Sequence, residues 1–244
     1  MASNSALDWT DATWNPIVGC TEYSDGCKNC YARRFALRLQ EQGTKGYENG
    51  FKLTLLPDRL NDPIKWTKPR LIFLGSMCDV FHDDVPTEYI KQIFDVMKRA
   101  DWHNYLVLTK RTKRMRELAP ELEWLPHIVA GVTIESNKYI HRLDDLKAVP
   151  AQMKFLSLEP LLSRIPRLDL NGIDWIITCG ESGKGARPMD TDWVREIRDW
   201  TLAQGKTFWF KQYSEHGGMM QPPILDGKIH KEFPEFKPGN LSLF

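Results

Sequence analysis

Cys20, Cys27 and Cys30 stand within eleven residues near the start of the chain, in the spacing C-x6-C-x2-C. Three is the informative number. A closed structural zinc site takes four ligands and a disulfide takes two. Three thiolates on one short loop can hold a 4Fe–4S cluster through three of its irons, leaving the fourth iron open to a substrate or cofactor. Five cysteines is an odd count, and three of them are clustered, which reads as a reducing, cytoplasmic compartment rather than a disulfide scaffold.

Further groups with chemical potential recur at intervals down the chain: Ser76 and Asp79, then Lys110 and Arg111, Glu135, Glu159, Glu181 with Arg187, and Lys211 with Gln212. Each follows a short apolar run. Three glutamates, two lysines and two arginines at successive run ends exceed what packing asks for. If desolvated, they must pair with each other or with a ligand. Any one alone has a plainer account: Glu135 as a helix cap, Lys110 as a solvated charge. The turn Gly180-Glu181-Ser182-Gly183 frees backbone N–H groups for close approach, but it lacks the G-x-G-x-x-G spacing of a dinucleotide site.

The elements that would position these groups alternate regularly. Eight strands are expected, at Trp14–Val18, Lys52–Leu55, Leu71–Leu74, Tyr105–Leu108, Ile128–Val132, Lys154–Leu158, Trp175–Thr178 and Thr207–Phe210. Most are continuous apolar runs, as parallel strands buried on both faces require. Helical patterns lie between them, at Cys30–Gln42, Pro57–Lys65, Thr87–Ala100, Lys113–Leu118, Lys138–Leu146 and Thr191–Gln204, with Thr87 and Thr191 as expected caps. The implied fold is α/β: a (β/α) barrel of parallel strands, fully eight-stranded or partly open. It would occupy residues 1–215, with the cysteine loop after strand one, and a Gly- and Pro-rich extension would close the chain over 216–244. In such a barrel the carboxyl ends of the strands build the active site, and the charged residues fall there.

With 244 residues and 42% apolar content the chain can bury a substantial core. A formal net charge of +1 gives no global attraction to nucleic acid or an anionic membrane. No window has the ~18–20 apolar residues of a membrane span, and Met1–Trp9 lacks the regions of a signal peptide. Trp175, Trp193, Trp200 and Trp209 are expected in the core, Cys179 as a buried small apolar residue, and His103, His141 and His216 on the surface.

Trp14-Asn15-Pro16, the Gly19-Cys20…Gly26-Cys27-x-x-Cys30-Tyr31-Ala32 run, Gly180-Glu181-Ser182-Gly183…Ala186-Arg187-Pro188-Met189 and Phe210-Lys211-Gln212 together resemble a phage-borne family of three-cysteine-motif proteins that is radical S-adenosylmethionine (radical SAM)-like. The resemblance runs from about Trp9 to Gln212. It implies that Cys20, Cys27 and Cys30 ligate a 4Fe–4S cluster that reductively cleaves S-adenosylmethionine. The 5′-deoxyadenosyl radical released would abstract a hydrogen from a substrate at the barrel mouth. It also implies Tyr31, Ser76, Asp79, Lys110 and Glu135 on the cofactor side and Glu159, Glu181, Arg187, Lys211 and Gln212 on the substrate side. A lysine and arginine at the rim suit phosphate or carboxylate, so the implied substrate is a nucleotide or nucleic-acid base. An external electron donor is needed. The family context leaves room for a partner protein, which no residue of the chain identifies.

Two alternatives stand beside this. A zinc site would complete the three cysteines with Cys78 or His82. A non-catalytic nucleic-acid-binding or interaction module would use the basic run Lys110-Arg111-Thr112-Lys113-Arg114-Met115-Arg116, whose plainer account is a solvated helix start.

Overall fold

Seven of the apolar runs assemble as one parallel sheet. The computed structural model describes residues 8–214 and 223–236. In chain order the strands are β1 (Ala12–Trp14), β2 (Ile17–Val18), β3 (Thr54–Leu55), β4 (Leu71–Leu74), β5 (Asn104–Thr109), β6 (Ile128–Thr133), β7 (Lys154–Leu158), β8 (Trp175–Thr178) and β9 (Thr207–Phe210). The sheet order is β1-β4-β5-β6-β7-β8-β9, every neighbouring pair parallel. Helices α1 (Tyr31–Glu41), α2 (Thr87–Arg99), α3 (Thr112–Leu118), α4 (Arg142–Lys147) and α5 (Thr191–Leu202) connect most of them, while the β7–β8 connection has no helix.

Several expectations are corrected here. Lys52–Leu55 is not a barrel strand: its Thr54–Leu55 pairs antiparallel with Ile17–Val18 as a separate ribbon. Pro16 lacks the N–H a ladder needs, so the first run splits and only Ala12–Trp14 joins the main sheet. The helix expected at Pro57–Lys65 forms two short 3-10 turns, Pro57–Arg59 and Pro63–Lys65, because Pro63 interrupts the ladder. The other helix ends lie within a few residues of expectation, except that α4 begins at Arg142 after a 3-10 turn over Asn137–Tyr139. Pro86 precedes α2 and no side chain caps it, while Asp190, not Thr191, caps α5 by accepting the Asp192 N–H.

The sheet curls. Trp9 lies 4.8 Å from the Phe73 ring on β4 and 6.4 Å from Trp175 on β8. Four strand spacings separate those strands, roughly 19 Å if the sheet were flat. Period-two alternation then gives two faces. The inner face carries Phe73, Leu106, Val129, Phe155, Trp175, Ile177 and Trp209, joined by Trp9 and by Phe236 of the C-terminal segment. The outer face carries Ile72, Val107, Ala130, Val132, Leu156, Ile176 and Phe208 against the helices. Each of the large inner side chains contributes roughly 1.5–3 kcal/mol by burial. Gly131 is glycine because the Phe155 ring occupies the space a Cβ would need.

The outer edge of β9 is covered from the C-terminal side. Phe210 donates to His230 O at 2.8 Å, and Trp209 bridges Lys231 antiparallel. A hairpin of β10 (Ile224–Leu225) and β11 (Lys228–Ile229) precedes that segment. Residues 216–222 and 237–244 of the expected extension lie outside the described residues, as does His216.

Trp175, Trp200, Trp209 and Cys179 are buried and Trp193 partly so. His141 is exposed, but His103 is fully buried with Nε2 3.0 Å from Pro63 O, contrary to its expected surface place. Its neighbours Trp66, Trp102 and Tyr105 enclose it. Among the described residues no helix is long and apolar enough to cross a membrane.

Candidate active site

The cysteine loop is bent into place by its glycines and pinned from below. Gly19 adopts φ 83°, and its N–H donates to Met77 O at 3.0 Å. A Cβ there would collide with the Lys52 carbonyl, so the chain can pass between the ribbon and the 75–78 turn only as glycine. Asp25–Cys27 forms one 3-10 turn, and Cys30 immediately precedes α1. The three thiols are thereby set on a turn, a loop and a helix start. All are half-buried, and all line one cavity of about 360 Å³.

Glu135 does the pinning. It is fully buried; Ser24 Oγ donates to its Oε1, and Arg142 Nη1 donates to its Oε2 at 2.6 Å. Arg142 also donates to Thr133 O at 2.7 Å and lies over the Tyr139 and Tyr23 rings. Gly26 sits against the Glu135 side chain, where a Cβ would come within 2.6 Å of Cγ. Glu135 thus lies beneath the loop and not on the cavity wall.

A second clamp holds Cys20. Asp79, at the turn after β4, accepts from Thr109 Oγ1 at 2.7 Å, from the Phe81 and Lys110 N–H groups at 3.0 Å, and from Arg111 Nη1 at 3.4 Å. Arg111 in turn donates to Thr21 Oγ1 at 2.9 Å and lies 3.6 Å from Cys20 Sγ. His82 Nδ1 accepts the Asp84 N–H, which assigns the proton of the neutral ring to Nε2, donated to Thr21 Oγ1 at 2.8 Å. Burial and then Arg111 lower the His82 pKa, consistent with that neutral ring. Burial, then Asp79, push the Cys20 thiol up while Arg111 pulls it down.

A third clamp joins the loop to the turn after β8. Glu181 accepts from Arg187 through its side chain and its N–H, and from Asn29 Nδ2 at 2.8 Å. Arg187 Nη1 reaches on to Asp25 O at 2.9 Å. Burial alone would raise the Glu181 pKa, but the Arg187 and Asn29 hydrogen bonds outweigh it and hold the carboxyl below its usual range. Across the cavity, Lys211 Nζ meets Glu159 Oε1 at 2.6 Å and lies over the Trp9 ring. Burial favours the neutral amine there, yet Glu159 prevails and the lysine is held more firmly protonated.

Of the residues singled out in the sequence, Tyr31, Ser76, Asp79, Lys110, Glu159, Glu181, Lys211 and Gln212 line the same cavity as the three cysteines. Tyr31 OH donates to Ser76 O at 2.5 Å, and Asn15 Nδ2 to Ser76 Oγ at 2.9 Å. Glu135 and Arg187 stand behind it as supports. The basic run is largely consumed by structure: Arg111 is buried, Arg114 donates to Phe81, His82 and Val85 carbonyls, and Arg116 pairs with Asp145 at 2.7 Å.

A family described as a protein of unknown function (DUF5131) matches residues 4–234, nearly the whole chain. The chain belongs to the DUF5131 family. No curated protein and no solved structure matches it. Arg142, Thr133 and Ser157 are among the members of this DUF5131 site that were not singled out in the sequence. Arg142 is the first residue of α4, where nothing in its spacing marks it. Thr133 and Ser157 are visible only once the inward register of β6 and β7 is known, and they too line the cavity.

Among the described residues no three His, Cys, Asp or Glu side chains are gathered tightly enough to hold a single metal ion. A cluster distributes its thiolates over several irons and asks for the wider arrangement of three separate thiols around one space. The donor chemistry of Cys20, Cys27 and Cys30 fits that group. Of the two residues that could complete a zinc site, His82 has both ring nitrogens engaged, whereas Cys78 is a free thiol on the wall of the same cavity.

Proposed function

We propose that the protein is a radical SAM-like iron–sulfur enzyme of the cytoplasm, acting on a nucleotide or nucleic-acid base and served by an external electron donor. One observation carries this reading: three thiols of one loop line a half-open cavity whose other wall is a set of polar strand ends. The curled sheet is read accordingly as a partly open (β/α) barrel, with its site at the carboxyl ends of the strands.

Cys20, Cys27 and Cys30 would hold the cluster. When bound, such a group supplies the electron for reductive cleavage of S-adenosylmethionine and hence hydrogen abstraction from the substrate. The chain's own residues do the rest. Glu135 and Arg142 fix the loop, and Arg111 fixes Cys20. Trp9, Phe73 and Leu108 give the cavity an apolar wall that excludes water. Lys211, kept protonated by Glu159, and the side-chain amide of Gln212 are placed to orient polar groups of the substrate.

The test is anaerobic reconstitution of wild type and Cys27→Ala, followed by iron and sulfide counts. The expected result is about four irons per wild-type chain and a large loss in the variant. Stoichiometric zinc with no iron in the wild type overturns the reading in favour of a zinc-stabilised binding protein.

A further inference from the structure

The cavity floor carries a row of side-chain hydrogen-bond donors that none of the three clamps uses. Thr133 on β6 pairs in register with Ser157 on β7. On β5, Leu108 and Thr109 pair with Gly131 and Val132, so Lys110 falls beside Thr133. All three project into the cavity. Strand spacing sets the row at about 10 Å from end to end. Thr133 and Ser157 are 1% and 3% exposed, and among the described residues neither hydroxyl has a protein partner. Both hydroxyls open into the cavity, where solvent or a ligand satisfies them.

The charge ledger gives the ligand its sign. Asp79 is paired with Arg111, Glu159 with Lys211, and Glu181 with Arg187. Among the described residues Lys110 is then the one cation of the wall with no ion-pair partner. An ammonium beside two hydroxyls is a donor set for an oxyanion. Position limits the ligand further. The row lies directly above the inner layer of Phe155 and Val129, which leaves no path beneath for a continuing chain.

We infer that Lys110, which the family resemblance puts on the cofactor side, instead joins Thr133 and Ser157 in a cradle for a terminal phosphate or carboxylate of the substrate, so that the substrate is a nucleotide-sized small molecule and not a base within a polymer. This deepens the enzyme reading above and rests on it for the word substrate. The cradle itself needs no cluster, so its failure and that of the cluster are separately visible.

The experiment uses the full-length, metal-free chain, titrated with inorganic phosphate and, separately, acetate, and followed by nuclear magnetic resonance. Binding of either anion supports the cradle, and the tighter one identifies phosphate or carboxylate as its source. Lys110→Met is expected to weaken that anion about tenfold or more, and Ser157→Ala by a smaller factor, with thermal midpoints near wild type. Failure of both anions at tens of millimolar overturns the inference, as does Lys110→Met binding like wild type. A single-stranded oligonucleotide without a terminal phosphate is expected not to displace the anion. Displacement by it would overturn the restriction to small molecules.

Discussion

Arg111 lies 3.6 Å from the sulfur of Cys20 while its other contacts, Asp79 and Thr21, hold the guanidinium still. A buried arginine that touches a thiol and a carboxylate together couples the cysteine loop to the β4 turn. Arg111→Met leaves Asp79 buried without its cation, which is expected to cost about 3–5 kcal/mol. Urea unfolding of wild type and variant measures this. Arg111→Lys should recover part of the loss, because it restores the charge without the planar fork. An unchanged midpoint for Arg111→Met would mean that the clamp contributes nothing to the fold.

Gly26 and Glu135 give a steric prediction. A methyl group at Gly26 would lie 2.6 Å from Glu135 Cγ, and Glu135 is locked by Ser24 and Arg142. Gly26→Ala should therefore lift the loop, destabilise the protein by about 1–3 kcal/mol and reduce iron uptake on reconstitution. Gly172→Ala is the control: nothing lies within 4 Å of its Cβ, although its φ of 75° adds local strain. The control should keep full iron uptake. Equal uptake by Gly26→Ala would show that the loop accommodates the methyl group.

The Glu181–Arg187 clamp should be acid-sensitive. The folded Glu181 pKa lies below its ordinary value, whereas the unfolded carboxyl titrates near about 4.3. Its stabilisation is therefore present above the unfolded value and is lost as pH falls through the folded one. Urea midpoints of wild type and Glu181→Gln should differ at neutral pH and converge once the pH falls below the folded Glu181 pKa. A gap that persists undiminished at that pH would assign the effect to shape and not to charge.

The parallel strands were legible because long apolar runs such as Ile128–Val132 and Trp175–Thr178 have few other ways to be buried. Lys52–Leu55 was misplaced for the same reason: its leucines serve a two-stranded ribbon against Ile17–Val18, which a single-sequence pattern cannot distinguish from a short sheet strand. The convergence of strand-end residues on one cavity followed from the alternation of elements. The division of labour within the site did not. Glu135 and Glu159 look alike in sequence, yet one is sealed beneath the loop by an arginine seven residues away and the other faces the cavity beside Lys211. Only the inward or outward register separates them. Thr133 and Ser157 were hidden similarly, as ordinary strand residues until their partners are known.

The most direct test of the central claim is the electron paramagnetic resonance spectrum of the anaerobically reconstituted, reduced protein, recorded with and without S-adenosylmethionine and accompanied by an iron count. The account predicts about four irons per chain and a spectrum that changes when S-adenosylmethionine is added. A four-iron cluster whose spectrum ignores it would contradict the radical mechanism while keeping the cluster, and zinc in place of iron would contradict both.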